Sequence, residues 1–249
     1  MINDDFIAVV DGSTSKSPAR IDDAMSDGRL CMLTVCDFIR KMPRDITPGD
    51  FCNGVTAAVR DVYVSHNVDL GRLQANPTHR MAASTVIYSR HRDEIWMVGD
   101  CQCIVDGIVH DNPKPYERRV ANIRAEHIRK ALAHGGNIED FMTDDKGRAE
   151  AIGELIRACR EQNKTFAVID GFDIPLQHVR VIKVMHDTPE IVLASDGYPF
   201  LYPSLQESEK ALARQLAKDP LCINTFVATK GLMNDRCSFD DRAYIRFSL

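Results

Sequence analysis

Short apolar runs rich in valine and isoleucine share this chain with longer stretches of helical periodicity. Strand patterns fall at 6–10, 83–89, 94–99, 102–110, 165–169, 179–185, 190–195 and 242–248. Helical patterns fall at 29–41, 49–66, 119–134, 147–162 and 206–217, with Thr47-Pro48 and Asn137 as starts and Gly135-Gly136 as a stop. One strand, two helices, a run of strands, two helices, three strands, a helix and a last strand is not the alternation of a doubly wound parallel sheet. Strands joined by tight turns pair antiparallel, so the pattern predicts an α+β fold with helices packed outside a mainly antiparallel core. No linker rich in Pro, Ser or Gly divides the chain and no repeat recurs, so residues 1–249 read as a single domain.

Composition narrows the partners more than the fold. With 44% hydrophobic and 27% charged residues, the 249-residue chain can bury a sizeable core. A net charge of −5 gives no general reason to expect nucleic acid or an anionic membrane. The eight cysteines form no CxxC pair and read as free thiols, with Cys101 and Cys103 on one face of a strand. The first residues are acidic, and no apolar run approaches the roughly 20 residues that span a bilayer. Both facts, with the free thiols, predict a cytoplasmic protein.

Candidate chemistry lies in five Asp-Gly pairs. Asp106-Gly107, between Cys103-Ile104-Val105 and Ile108-Val109-His110, predicts a two-residue hairpin turn. Asp27-Gly28 follows Ser26 and predicts a helix entry. Asp170-Gly171, in "FAVIDG", is followed by a Pro-containing loop and a further strand, which predicts another hairpin connection. Asp11 and Asp196 differ, because each ends a nearly continuous apolar strand that delivers its last side chain to a fixed point at the sheet's edge. A carboxylate held there costs desolvation unless a cation or hydrogen bonds offset it, and the following glycine lets a backbone carbonyl approach a ligand. Asp100, ending "EIWMVGD", and Asp240-Asp241, before the last strand, join them. Such an oxygen-rich set suits hard cations, Mg²⁺ or Mn²⁺.

The ordered set "VVDG", "AAST" with "MVGDCQ", "LASDG" and "CSFDDRAYI" resembles the PPM family of metal-dependent protein phosphatases, the type 2C group and its bacterial sporulation-phosphatase relatives. The resemblance spans nearly the whole chain and implies a four-layer α-β-β-α sandwich. It implies Asp11 and Gly12 at a site of two divalent metals, Asp196 and Asp240 as further ligands with Asp241 in the place of the family's Asn, and Asp100 at a weaker third metal. The family's additional first strand is absent from the ten residues before Asp11, which leaves an exposed sheet edge that a second copy of the chain would cover. Where eukaryotic members carry a general-acid His, this chain has Ser13.

The reaction implied is hydrolysis of a phosphate monoester, in a phosphoserine or phosphothreonine protein or a small phosphoester, by a metal-activated water with Asp11 and Asp196 at its centre. Lys16, His79 and Arg80 lie near the motif segments as candidates to bind phosphate or supply a proton. The basic run from Lys114 to His134 reads as a solvated helix face, with docking of an acidic phosphoprotein as its functional alternative. Two rivals stand beside the hydrolase. A haloacid-dehalogenase-type phosphatase would need a second Asp where Ser13 stands, and a catalytically inactive module of the same fold would have no physical need for converging acids. Neither a GxSxG elbow nor a GxxxxGK[ST] phosphate loop is present.

Overall fold

A computed structural model describes residues 1–18, 20–185 and 190–248, and these form two four-stranded sheets and seven α-helices. The first sheet contains β1 (Phe6–Gly12), β2 (Ala83–Ser89), β3 (Glu94–Val98) and β6 (Arg180–Lys183), in the order β1-β2-β3-β6. The second contains β4 (Gln102–Val105), β5 (Ile108–His110), β7 (Glu190–Ala194) and β8 (Tyr244–Ser248), in the order β5-β4-β7-β8. Every pairing is antiparallel, as the tight connections predict.

Alternation along β1 explains why its sequence reads as continuously apolar. Ile7 and Val9 point between the sheets, where they meet Val86, Met97, Cys101, Cys103, Ile191 and Leu193. Phe6 and Ala8 point the other way, toward helices α1 (Asp27–Lys41) and α2 (Pro48–Ser65). Those helices answer with Cys31, Val35 and Ile39, and with Phe51, Val55 and Val59, spaced four apart so that each forms one stripe. Each fully buried Val, Ile or Phe on this face contributes about 1.5–3 kcal/mol. On the far side of the second sheet, Ile104, Val192 and Ala194 are covered by Tyr198, Leu201 and Tyr244. Helix α7 (Leu205–Lys218) holds that cover in place through Glu209 on the Tyr198 hydroxyl at 2.6 Å and Ser208 on the Tyr202 amide at 2.9 Å. The layers are therefore α-β-β-α.

The remaining helices are α3 (Leu70–Ala75), α4 (Glu117–Ala133), α5 (Ile138–Thr143) and α6 (Lys146–Cys159). Both α3 and α5 escape the periodicity signal because six residues are too few to repeat it. Residues 165–169 are not a strand: Ile169 bridges Ala83 and Phe166 bridges Gln162, each in isolation, while the Asn163 side chain takes the Val168 amide at 3.0 Å. The edge beside β1 is not bare either. Ile2 bridges Ile7, and the Met1 amine donates to the Ala8 carbonyl at 2.5 Å, so residues 1–3 shield part of it. Among the described residues no helix is long and apolar enough to cross a membrane.

Candidate active site

The carboxylates scattered along the chain meet because both sheets end at one place. Asp11 lies opposite Ser84 in the β1–β2 register, and the Ser84 hydroxyl donates to Asp100 at 2.5 Å. Asp100 follows Gly99, whose φ of +86° and contact with Ser84, whose Oγ would lie 2.2 Å from an added Cβ, admit only glycine. There the chain crosses from β3 to β4. Since β4 pairs with β7 by Gln102 opposite Ala194, Asp196 emerges beside Asp100. Gly197 packs against the Asp241 carbonyl, 2.1 Å from where a Cβ would sit, which draws the 240–241 segment to the same spot. Asp11, Asp100, Asp196, Asp240 and Asp241 consequently line one cavity of about 100 Å³, together with Gly12, Lys16, Lys114, Glu117, Arg148 and Lys230.

Two members of this set carry no motif in the sequence. Lys114 and Glu117 arrive on the segment between β5 and α4, anchored where the Asn112 amide donates to the Gly99 carbonyl at 2.9 Å. The Lys114 ammonium forms an ion pair with Asp100, both groups being under a tenth exposed. Single carboxylate oxygens of Asp100, Glu117 and Asp196 all lie within 4.8 Å of one another. Only the tertiary structure reveals this.

The electrostatics divide the acids into two groups. Burial opposes the charge on Asp100, but Lys114 and the Ser84 hydroxyl outweigh it and hold its pKa well below the usual range. Asp240 is likewise answered, by Lys230 at 2.6 Å. Asp11 and Asp196 lack such partners. Burial raises both, the charges of Asp100 and Asp240 push in the same direction, and the two carboxyls are close enough to share a proton. Asp196 Oδ1 is buried without a hydrogen-bond partner. Glu117 is raised to about 7 by burial, with Lys114 opposing and Asp100 adding to the shift. Lys16 is lowered to about 8 by burial and by the neighbouring cations, chiefly Lys114.

A divalent cation fits the Asp11–Asp196 side, where an orphaned carboxylate oxygen and mutual repulsion call for one. At Asp100, which the family resemblance implies as the ligand of a weaker metal, an ion would have to share the carboxylate with the Ser84 hydroxyl on one oxygen and the Lys114 ammonium on the other. Gly12 is glycine for a packing reason: an added Cβ would lie 2.2 Å from the Gly28 carbonyl oxygen at the start of α1. His79 and Arg80 stay outside the cavity. Arg80 instead pairs with Asp170 at 2.9 Å and lies 3.6 Å over the Phe172 ring. Asp170 is therefore a fully buried ion-pair partner and not a surface hairpin residue. Asp106-Gly107 does form the turn between β4 and β5, with φ of 49° and 79°, and Asp27-Gly28 opens α1 behind its Ser26 cap. In the basic run, Arg124 is fully buried against Asp145 at 2.8 Å and Arg129 donates to the Ile223 carbonyl, so that face is largely committed to folding.

No family model matches the chain, and no curated protein matches it in sequence. Solved structures do match, and the three that follow do so with probability 1.00. A bacterial serine phosphatase is 13% identical, with 98% of this chain and 85% of that one covered and a TM-score of 0.42. A stage II sporulation E family protein from Thermanaerovibrio acidaminovorans is 14% identical over 77% of this chain and 75% of that one, with a TM-score of 0.40. The catalytic domain of the serine/threonine protein phosphatase PstP, in complex with two manganese ions, is 13% identical over 86% and 76%, with a TM-score of 0.39. These structures belong to the phosphatase group whose motifs the sequence resembles. Overlap this loose leaves the chemistry to be argued from the residues of the cavity itself.

Proposed function

We propose that this chain hydrolyses phosphate monoesters, phosphoserine or phosphothreonine in proteins being the intended class, with a divalent ion, Mn²⁺ or Mg²⁺, held by Asp11 and Asp196. One observation carries it: acids from four separate strand ends converge on a cavity that also contains Lys16, Lys230 and Arg148, so anion-binding groups face a cation-binding pair. The bound ion would supply a water of lowered pKa as nucleophile. Asp11 and Asp196 orient that side of the cavity. Lys16 and Lys230 offer ammonium groups to the phosphoryl oxygens, whose charge must be offset as the ester bond breaks. Glu117 holds a proton near neutral pH at a position shared with a second pocket of about 330 Å³, walled by Tyr198, Phe226 and Phe239 and edged by Arg118. That proton is placed to meet the departing alkoxide, and the aromatic pocket receives the group that carried the phosphate.

A second proposal has its own support. Lys114 and Lys230 neutralise two of the acids from within, as a binding module without catalysis would require. Phosphate release from p-nitrophenyl phosphate and from a phosphoserine peptide, with Mn²⁺, separates the two. The hydrolase shows turnover that EDTA stops and that Asp11→Asn lowers by about 10³-fold or more. Full turnover in Asp11→Asn, or none in the wild type, removes the hydrolase proposal.

A further inference from the structure

We infer that the Lys114 ammonium is the permanent cation of the Asp100–Glu117–Asp196 cluster, standing where a further metal ion would bind, and that it limits the cavity to a single divalent ion. The inference rests on the metal dependence proposed above. Three carboxylate oxygens within 4.8 Å of one another form a cation site by geometry. The cation is already supplied. Lys114 is 9% exposed, its Nζ contacts Asp100 Oδ2, and its own backbone amide donates to Glu117 at 3.3 Å, which fixes the side chain's origin at the cluster. Ser84 donates to the other Asp100 oxygen at 2.5 Å, so each oxygen already serves a protein donor and a metal there would have to compete with the ammonium. Desolvating the ammonium and carboxylate together is tolerable only because each answers the other, so neither is free to leave when an ion arrives.

Charge balance points to the same number. The cavity collects six carboxyl side chains, Asp11, Asp100, Glu117, Asp196, Asp240 and Asp241, against four cationic ones, Lys16, Lys114, Arg148 and Lys230. Fully ionised, that is an excess of two negative charges, and with the Glu117 proton in place an excess of one, so a single divalent ion is enough to offset it. Asp196 Oδ1 is buried and the protein brings it no hydrogen-bond donor, which leaves an oxygen for that ion.

Counting bound Mn²⁺ on the full chain, by isothermal titration calorimetry and by the electron paramagnetic resonance signal of free Mn²⁺, tests this without any assay of turnover. The wild type should bind one ion, Lys114→Met two, and Lys114→Arg one, because the charge is restored. Equal stoichiometry in wild type and Lys114→Met overturns the inference. Should Lys114→Met fail to fold by circular dichroism, Asp100→Asn decides: a wild-type count supports the inference, and loss of an ion overturns it. A chain that counts as expected but hydrolyses nothing defeats the hydrolase proposal and leaves this one standing.

Discussion

Asp170 and Asp196 share the pair Asp-Gly, in Val-Ile-Asp-Gly in one case and Ala-Ser-Asp-Gly in the other, the first fully buried and the second half-buried at the cavity. Around Asp170 the fold brings Arg80 at 2.9 Å, the Asn163 amide at 2.8 Å and the Phe172 backbone amide at 3.0 Å, so every demand of the carboxylate is met. Around Asp196 it brings Asp11, Asp100 and Asp240, and one oxygen is left with nothing. Burial raises both groups, Asp170 to about 6 with Arg80 opposing and Asp196 well above its ordinary value with like charges assisting. The same Asp-Gly pair thus yields a fastening in one place and an unsatisfied carboxyl in the other. What separates them is the sign of the charges that the rest of the chain supplies.

The contrast can be broken most severely at Asp196. Asp196→Asn should lower metal-dependent phosphate release by about 10⁴-fold, roughly 5.4 kcal/mol in the barrier, while raising the melting temperature of the metal-free protein, since it removes a repelled buried charge. Wild-type turnover, or a lower melting temperature, would count against the assignment. At Asp170 the outcome should invert. Asp170→Ala strands the Arg80 guanidinium and should cost about 3–5 kcal/mol of stability in urea unfolding, with turnover per folded molecule unchanged.

Smaller effects sharpen the picture of the cavity. Glu117→Gln should reduce turnover of a phosphoserine peptide by about 10²-fold and that of p-nitrophenyl phosphate much less, because only the poorer leaving group needs a proton. The limb of the wild-type rate profile near pH 7 should vanish with it, as a group raised to about 7 requires. Lys16→Met should weaken inhibition by inorganic phosphate by about tenfold at pH 7, about 1.4 kcal/mol. The wild type should lose the same affinity above pH 8, where Lys16 sheds its proton. Stability should move oppositely. The folded protein releases this proton at about 8 and the unfolded chain near the ordinary 10.5, so the cost of burying the ammonium is relieved as pH rises through that window. Lys16→Met should therefore be the more stable protein at pH 7 and lose that advantage by pH 10.5, as chemical denaturation at the two pH values would show.

Much of the architecture was legible because its signals are local. Ser26, Thr47 and Ser204 cap helices that begin within about two residues of where the periodicity places them. The β4–β5 turn follows from Asp106-Gly107 alone, and the acids of the cavity were readable as strand ends. Lys114 and Glu117 were not, because nothing in Lys114-Pro115-Tyr116-Glu117 says that Asn112 will tether it to the Gly99 carbonyl where the chain leaves β3. Arg80 misled for the mirror reason. A guanidinium beside a motif segment looks available until the fold shows Asp170 and Phe172 already holding it. Residues 165–169 have the composition of a strand, yet a side chain, Asn163, takes the amide that a neighbouring strand would have bonded.

The meeting of Gly12 with Gly28 reaches beyond packing. A Cβ at Gly12 would lie 2.2 Å from the Gly28 carbonyl oxygen, and one at Gly28 would lie 2.5 Å from the Ser13 carbonyl oxygen and 2.9 Å from the Gly12 carbonyl. Helix α1 therefore rests directly on the residue after Asp11, with no compressible layer between them. A single methyl at position 28, seventeen residues along the chain, would tilt that helix or push back the strand end that carries the aspartate, so the aim of the carboxylate is set by an atom the protein has left out.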